Sequence, residues 1–426
     1  MRTLVEQTER DVRKWLDAHG LLWDGIPASR HGKIAVHILM GGEDAGEWDI
    51  YPEESAILIG TQDMLLSRAL NRGYGMSRYR WPRHFGLLNN GCLWVMDETQ
   101  LMGVGVETSA QLDGFRHDTK MPPLGACPTW WMSATLDPAR LATVDHPPPA
   151  GGWPTEELSQ EERSNGRPKE LVTAAKKLSS APVALNATTK AGYAKQVAAF
   201  IKDRHQPGTF TLVVVNRVSR AREIYEALAM GKKPLYAPER VGLIHSRFRP
   251  VDRERRTQLL FGTGDRIVIA TQAVEAGVDV SARLLITELA PWSSLVQRMG
   301  RCNRYADAPD AEVLWVDIAP KDEKDDLRLP YTRDELDKAR GALASFTDAS
   351  AQTLRGVAVP EERILRPVLR RRDLMDLFDT TPDLCGQDLD ISRYIRDGDD
   401  NDVQFFWRRV EGEAPSTDEP DPQRQE

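Results

Sequence analysis

Residues 267–279 read IVIATQAVEAGVD, and residues 297–304 read QRMGRCNR. The first stretch begins with a short β-branched run, which predicts a buried parallel strand, and then passes into small and polar residues. Strands of open α/β sheets end in this way where their carboxyl ends face a ligand crevice. The second stretch carries three arginines, whose planar guanidinium groups suit bidentate contacts with phosphate. Together they predict a phosphate-binding crevice beside a parallel sheet; the alternative is a strand followed by a solvated basic helix.

The composition is that of a globular protein. With 426 residues, 41% of them hydrophobic and 28% charged, the chain is long enough for two or three domains with separate cores. No apolar run reaches the roughly 18 residues that span a membrane, and the N-terminus lacks a signal-peptide pattern, so we expect a cytoplasmic protein. The four cysteines lie far apart in the sequence, without the paired spacing of a zinc site or a disulfide framework.

Charge is unevenly distributed along the chain, whose formal net charge is −8. Residues 181–320 contain 20 Lys and Arg against 14 Asp and Glu, a balance of +6. Residues 321–426 contain 17 against 26, a balance of −9. A basic segment suits a phosphate backbone and an acidic one does not. The middle of the chain is therefore the candidate nucleic-acid surface.

The opening stretches resemble two motifs of known helicases. Residues 270–279 resemble motif V of superfamily 2 helicases, and residues 297–304 resemble motif VI as found in the CRISPR-associated helicase–nuclease family of type I interference systems. Residues 101–103 and 111–116 resemble its compact type I-U/I-G subtype. The resemblance implies catalytic or nucleotide-binding roles for Gly277, Asp279, Gln297, Arg298, Arg301 and Arg304. It implies that an arginine from this motif stabilises charge on the transferring γ-phosphoryl group.

Asp97 and Glu98 follow a strand that we predict over residues 91–96. They resemble motif II, in which the aspartate holds Mg²⁺ and the glutamate positions the attacking water molecule. The next two residues, Thr99 and Gln100, depart from the pattern of related enzymes. Adjacent carboxylates at a strand end are common by chance, and only the order of the surrounding motifs makes this pair specific.

Other motifs of the family occur in the expected order. Ser133, Ala134 and Thr135 resemble motif III, which couples the ATP and nucleic-acid sites. By resemblance, nucleic-acid contacts fall on Arg2, Thr3, Thr61, Gln62, Asn216, His245, Arg247 and Thr271. A helix-capping role explains Thr61 alone equally well, and a turn or capping role does so for Asn216, His245 and Arg247.

The phosphate-binding loop of the family is absent from this sequence. The pattern Gly-x4-Gly-Lys-Ser/Thr occurs nowhere, and residues 31–34, its nearest imitation, end in Ile34 where a hydroxyl must hold Mg²⁺. A capping box of Thr3 and Glu6 predicts that a helix begins at residue 3, where the family has strands before it. We therefore expect an N-terminally truncated helicase that hydrolyses ATP poorly by itself.

We predict an α/β fold of two RecA-like parallel-sheet domains with a mostly helical or irregular extension. The predicted parts are an incomplete first domain over 1–143 that lacks the P-loop strand, a linker over 144–180, a second domain over 181–320, and an extension with a disordered acidic tail over 321–426. A second capping box, formed by Thr332 and Glu335, predicts a helix within the extension.

By resemblance, the chain is an ATP-dependent DNA helicase or translocase that uses ATP and Mg²⁺. Its implied partners are single-stranded DNA and a CRISPR RNA-guided effector complex. Two alternatives stay open. One is another superfamily 2 motor, such as an RNA helicase or a restriction translocase. The other is a non-catalytic protein that binds single-stranded nucleic acid.

Overall fold

The computed structural model describes residues 2–25, 30–41, 48–118, 122–133, 137–230, 234–248, 250–322, 325–357, 359, 365–379 and 389–397. The chain divides into two compact units. We call Thr155–Arg363 the sheet unit, and Leu4–Pro154 with the described part of Ile364–Glu426 the carboxylate unit. No described helix is both long and apolar enough to cross a membrane.

The carboxylate unit begins with four helices and four strands. They are α1 (Arg2–Ala18), β1 (Ala35–Leu39), β2 (Ala56–Gly60), α2 (Gln62–Ala69), α3 (Trp81–Leu88), β3 (Trp94–Met96), α4 (Gly105–Arg116) and β4 (Thr129–Trp131). The strands form two parallel pairs, β1 with β2 and β3 with β4. Helix α4 is buried along almost its whole length, and its Val106 and Ala110 share a core with Trp94 and Met96. Strand β3 is therefore fixed against α4.

One face of the β3–β4 pair is exposed. Val95 and Trp130 are direct neighbours in the register, and they are 49% and 59% exposed. Parallel sheets are ordinarily covered on both faces, and two strands alone are too few for an independently stable sheet. The pair therefore depends on its other face, where Trp94 and Met96 are buried.

The sheet unit contains a six-stranded parallel sheet and eight α-helices among its described residues. The elements are α5 (Gln160–Ser164), α6 (Gly166–Val172), β5 (Lys177–Leu185), α7 (Tyr193–Arg204), β6 (Phe210–Val214), α8 (Val218–Ala229), β7 (Val241–Ile244), α9 (Pro250–Phe261), β8 (Arg266–Ala270), β9 (Leu284–Glu288), α10 (Trp292–Met299), β10 (Glu312–Ile318), α11 (Arg333–Leu343) and α12 (Ala351–Arg355). The strand order is β5-β10-β9-β6-β8-β7, and every neighbouring pair is parallel.

The core of the sheet unit follows from uninterrupted apolar strands. All five residues of β6 and of β9 are buried, as are four of the five in β8. Strands covered on both faces read as continuous apolar runs rather than as alternating ones. One hydrophobic cluster joins every strand of this sheet to helices α7–α12. The sheet unit therefore has the α/β architecture of a RecA-like domain, as predicted.

The last described helices belong to the carboxylate unit. They are α13 (Arg371–Asp376) and α14 (Ser392–Ile395). Asn71 Nδ2 donates to Leu377 O at 2.9 Å, and Thr108 Oγ1 donates to Tyr394 O at 2.5 Å. These long-range hydrogen bonds attach the end of the chain to α2 and α4.

Several predicted boundaries differ from the structure. Residues 144–180, expected to be a linker, contain α5, α6 and the start of β5, which pairs with β10 as a strand of the sheet. The predicted extension is divided, because α11 packs in the sheet unit and residues from 364 onward lie in the carboxylate unit. The capping box at Thr332 is confirmed, with Glu335 N donating to Thr332 Oγ1 at 3.3 Å. The box predicted at Thr3 is wrong in position, because α1 already includes Arg2. The predicted acidic tail lies mostly outside the described residues.

Candidate functional site

Three residues that we predicted as nucleic-acid contacts lie at the carboxyl ends of neighbouring strands. His245 directly follows β7, Thr271 directly follows β8, and Asn216 lies two residues beyond β6. Because β7, β8 and β6 are adjacent and parallel, the three residues share one edge of the sheet. Ligand crevices of α/β sheets form at this edge. All three residues are buried, so their roles depend on what their side chains contact.

Arg298 is the centre of a buried hydrogen-bond network. Its Nε donates to Glu275 Oε1 at 2.8 Å, its Nη1 to Thr287 Oγ1 at 3.0 Å, and its Nη2 to Asn216 Oδ1 at 3.0 Å. The side chain is fully buried. The nucleotide contact that we predicted for Arg298 stays a prediction, and in this structure the side chain is engaged inside the protein. All three guanidinium nitrogens bind protein groups, and Arg298 ties the motif V segment to the sheet.

Asn216 belongs to the same network. Its Nδ2 donates to Leu289 O at 2.8 Å, and its backbone N–H donates to Glu288 Oε2 at 2.7 Å. Both ends of its side-chain amide are hydrogen-bonded inside the protein, and the predicted nucleic-acid contact of Asn216 stays a prediction. Glu288 also accepts from Tyr193 Oη at 3.0 Å and pairs with Arg220 at 3.0 Å.

Sequence reasoning missed Glu275 and Glu288 as structural anchors of the site. Glu288 ends the apolar strand LLITE and is 1% exposed. A buried carboxylate requires cationic or hydrogen-bonding partners, and here Arg220, Tyr193 and Asn216 supply them. The signal available in the sequence was an acidic residue at the end of a strand without polar alternation.

Arg301 holds the motif V loop in place through hydrogen bonds to its backbone. Its Nη2 donates to Glu275 O at 2.7 Å and its Nε to Val274 O at 3.3 Å. Gly277 has a φ of +66°, a conformation that side chains rarely adopt, so the loop turns at this glycine. The predicted catalytic role of Arg301 remains a prediction. In this structure the buried side chain holds the backbone of the loop that leads to Asp279.

Arg304 is the exposed arginine of motif VI. Its Nε donates to Asp279 Oδ1 at 2.5 Å, and the two side chains are 41% and 44% exposed. The loop around it is strained, because the non-glycine residues Asn303 and Ala306 have φ values of +43° and +56°. Asn303 Nδ2 anchors this loop by donating to Ala175 O at 3.0 Å. Arg304 is thus held at the surface by an ion pair that solvent can reach.

Gln297 presents an unsatisfied polar atom. Its Oε1 is buried and has no hydrogen-bond partner among the described residues. Buried carbonyl oxygens are nearly always hydrogen-bonded, so this oxygen remains available as an acceptor. The predicted catalytic role of Gln297 stays a prediction.

The edge next to β7 combines aromatic and basic groups. The His245 ring stacks on Phe248 with centroids 3.9 Å apart, and the Arg256 guanidinium lies 4.3 Å from the centroid of the Phe248 ring. Burial and the nearby Arg247 lower the pKa of His245, which keeps its ring neutral at physiological pH. Arg247 is exposed beside it. Stacked rings with adjacent arginines suit bases and phosphates of a single strand.

In the carboxylate unit, Glu98 is connected to motif III through Gln100. Gln100 Nε2 donates to Glu98 Oε2, and Ser133 Oγ donates to Gln100 Oε1 at 2.5 Å. Glu98 itself has a φ of +51°, a strained conformation at a strand end. Gln100, which we noted only as a departure from related enzymes, therefore links the general-base candidate to the coupling motif. Ala134 and Thr135 lie outside the described residues.

Burial, together with the neighbouring Glu98, raises the pKa of Asp97 above its usual 3.8. The folded protein therefore favours the protonated carboxyl, and this stabilisation is lost as the pH rises through the folded pKa. We expect D97N to unfold at a higher temperature than the wild type at pH 7 in EDTA. The difference should shrink as the pH falls towards 4. Differential scanning calorimetry across this pH range measures it.

E98Q provides the matched variant for this experiment, because it removes only the neighbouring charge. It should also raise the midpoint at pH 7, and D97N/E98Q should raise it by less than the sum of the single changes. A lower midpoint for D97N than for the wild type at pH 7 would contradict the assignment of an unfavourable charge at Asp97.

The remaining residues that we predicted as nucleic-acid contacts have different surroundings in the structure. Thr61 occupies the N-cap position of α2, and its side chain makes no capping hydrogen bond. Gln62 Nε2 donates to Met102 O at 3.0 Å and also to Ile395 O, and its predicted nucleic-acid contact stays a prediction. Arg2 and Thr3 lie in α1, and their side chains are outside the described part of the chain.

Each unit by itself holds residues whose chemistry suits one part of a magnesium nucleotide. Oxygen ligands such as the Asp97 carboxylate suit Mg²⁺, and an exposed guanidinium such as that of Arg304 suits a phosphate group. Within the described ranges, no three His, Cys, Asp or Glu side chains gather as a metal cluster. Such a site needs further ligands from phosphate and water, as is usual for Mg²⁺ with nucleotides.

Comparisons with known proteins find similarity to one family. The family model described as "CRISPR-associated nuclease/helicase Cas3, C-terminal" matches residues 207–307, which include the residues from Asn216 to Arg304. The CRISPR-associated helicase Cas3 of Thermoproteus tenax is 36% identical over 151 residues, which cover 33% of this chain and 25% of that protein. The CRISPR-associated nuclease/helicase Cas3 of Streptococcus thermophilus is 30% identical over 119 residues, which cover 26% and 12% of the two chains.

Among solved structures, the crystal structure of T. fusca Cas3-ATP is similar with a TM-score of 0.46 and 19% identity. The match covers 70% of this chain and 37% of that chain. This chain thus matches only a quarter or less of the length of the two curated relatives. Its matched part holds motifs V and VI.

Proposed function

We propose that the chain belongs to the CRISPR-associated Cas3 helicase family and forms the ATP-dependent helicase part of a type I CRISPR interference system, a proposal supported by its similarity to that family. The observation that supports the proposal is the arrangement of residues at the carboxyl ends of the strands of the six-stranded sheet. There the Arg298 network holds the motif V segment in place. Arg304, Gln297 and Arg247 each present a side-chain group that a ligand can contact. The implied partners are single-stranded DNA and a CRISPR RNA-guided effector complex.

In this proposal the two carboxylates and the motif VI arginines have separate tasks. When bound, ATP with Mg²⁺ supplies the phosphoryl group whose hydrolysis drives translocation. Asp97 would hold the metal, and Glu98 would orient the water molecule and accept its proton. Gln100 and Ser133 keep the Glu98 carboxylate in place. Arg304 neutralises charge that develops on the phosphate oxygens.

Arg247 is the best residue with which to test nucleic-acid binding, because it is exposed and lies beside the stacked His245 and Phe248. We expect R247A to weaken binding of an oligo-dT probe in fluorescence anisotropy. It should reduce the slope of log K against log salt by about 0.7, the contribution of one phosphate contact on a single strand.

R240A is the matched control for this experiment. Arg240 is an exposed arginine of the same unit that precedes β7, whereas Arg247 follows it, so the two lie at opposite edges of the sheet. R240A should bind the probe like the wild type. If both variants lost the same binding affinity, the loss would reflect nonspecific charge attraction and would contradict a binding site at the carboxyl ends of the strands.

The alternative of a non-catalytic nucleic-acid-binding protein is favoured by one sequence observation, the absence of the Gly-x4-Gly-Lys-Ser/Thr pattern. The two functions differ in their response to nucleotide. A motor changes its affinity for single-stranded DNA when ATP is added, whereas a simple binding protein does not. Parallel titrations with RNA of the same sequence separate a DNA translocase from an RNA helicase.

A further inference from the structure

The structure brings together two cysteines that the sequence separates by 35 positions. Cys92 Sγ lies 3.3 Å from Cys127 Sγ. The spacing of the cysteines in the sequence does not indicate this contact. We propose that Cys92 and Cys127 are a redox-active pair that forms an intramolecular disulfide between the segments leading into β3 and β4.

The backbone, and not only the side-chain rotamers, places the two thiols opposite each other. In the parallel register Trp94 pairs with Thr129, and each cysteine precedes its strand by two residues. Trp94 N donates to Pro128 O at 3.0 Å, beside the two cysteines. Neighbouring parallel strands lie about 4.8 Å apart, which falls within the Cα separations that a disulfide spans.

Two further contacts hold the segments together ahead of the strands. Leu124 N donates to Asn90 Oδ1 at 2.7 Å. A Cβ on Gly125 would lie 3.1 Å from both the Cα and the N of Gly91, so the backbones approach more closely than a side chain at residue 125 would allow. The cysteine pair is therefore flanked on both sides by backbone contacts that limit separation.

The environment of the pair favours reaction. The hydrogen bond from Cys92 and the guanidinium of nearby Arg116 lower the pKa of Cys127 to about 7, although burial opposes this. The hydrogen bond with Cys127 and burial raise the pKa of Cys92. A thiolate beside a protonated thiol is the arrangement from which disulfides form. Cys92 is partly exposed, whereas Cys127 is buried, so a small oxidant is needed.

A peroxide of the hydrogen peroxide class satisfies this requirement. The Cys127 thiolate attacks one peroxide oxygen, the O–O bond breaks, and hydroxide leaves, which gives a sulfenic acid. The Cys92 sulfur then attacks the Cys127 sulfur, the S–O bond breaks, and water leaves with the thiol proton. Two thiols are oxidised to one disulfide, and one peroxide is reduced to two water molecules.

The disulfide would join two strands that carry different motifs. Strand β3 leads to Asp97 and Glu98, and β4 leads to Ser133. Cross-linking their amino ends would prevent the strands from separating and would fix their register. The expected consequence is a carboxylate unit that unfolds at a higher temperature when oxidised than when reduced, since the closed loop restricts the unfolded chain.

Thiol counting and peptide mass spectrometry on the full chain test this proposal. Reduced protein is treated with a small excess of hydrogen peroxide, and free thiols are counted in denaturant. We expect two of the four thiols to disappear, a Cys92–Cys127 cross-linked peptide to appear, and dithiothreitol to reverse both changes. The calorimetric midpoint should rise on oxidation and return on reduction.

Cys302 offers a matched control within the chain. It is buried without a cysteine partner among the described residues, and burial raises its pKa to about 12, so it should stay reduced. C302S should form the cross-link like the wild type, whereas C92S and C127S should not. The wild-type peptide map remains decisive if either variant misfolds. Intermolecular dimers, stable over-oxidation of Cys127, or Cys92 and Cys127 both remaining reduced in the folded protein would each overturn the proposal.

Discussion

Replacing Arg298 by alanine is expected to lower the free energy of unfolding of the sheet unit by about 3–5 kcal/mol. The change leaves the Glu275 carboxylate, 8% exposed at its side chain, without the cation that lies 2.6 Å away. It also removes donors from Thr287 Oγ1 and Asn216 Oδ1. Breaking a buried pair by deleting one partner is strongly destabilising, because the other charge stays buried and uncompensated.

Urea unfolding measures this loss of stability. Hydrogen exchange, followed in peptides from β8 and β9, shows whether the loss occurs in the sheet unit. R304A is the matched control, because Arg304 lies in the same motif but pairs with Asp279 at the surface. Exposed ion pairs contribute at most about 1 kcal/mol, so R304A should unfold nearly as the wild type does. If R298A and R304A lost equal stability, the buried network would not be what holds motif V.

Replacing Arg304 by alanine is expected to lower the rate of ATP hydrolysis rather than the stability of the sheet unit. In a longer form of the protein that also carries a phosphate-binding loop, R304A should lower kcat for ATP hydrolysis by a factor on the order of 10³–10⁵. An exposed guanidinium in a strained loop can reach a phosphate, and removing it withdraws charge stabilisation that is needed only in the transition state. Steady-state ATPase assays with single-stranded DNA measure the loss.

R304K and R240A serve as comparisons for the ATPase assay. R304K keeps the charge but loses the planar fork, so its kcat should fall between those of R304A and the wild type. R240A removes an arginine from the other edge of the sheet and should leave kcat unchanged. A wild-type kcat in R304A would remove Arg304 from the proposed catalytic set.

Motif spacing could not distinguish the three arginines of residues 297–304. All three resembled phosphate ligands, because residue type and order are the same for an arginine that binds a ligand and one that fixes the fold. Arg298 ends helix α10 beside Glu275 and Thr287, whereas Arg304 lies beyond the helix in the exposed loop. Their different burial depends on strands that are distant in the sequence.

The contacts of Gln100 and of the cysteine pair also could not be predicted from the sequence. Gln100 departed from the family pattern, and only the folded chain shows that it bridges Glu98 and Ser133. Cys92 and Cys127 had no significant spacing, and they meet because the register of β3 and β4 aligns them. A parallel pair joined by a long crossover leaves no local sign of its register in the sequence.

The sequence by itself determined the parallel strands of the sheet unit, the strand ends at which polar residues gather, and the resemblance of residues 270–279 and 297–304 to two helicase motifs. These features follow from local apolar runs and residue order, which are the same in the unfolded and folded chain. The tertiary structure decided which polar groups are consumed inside the protein and which remain for a ligand. That division depends on burial and on partners far along the chain, because a guanidinium or amide surrounded by protein acceptors has no donor left to offer.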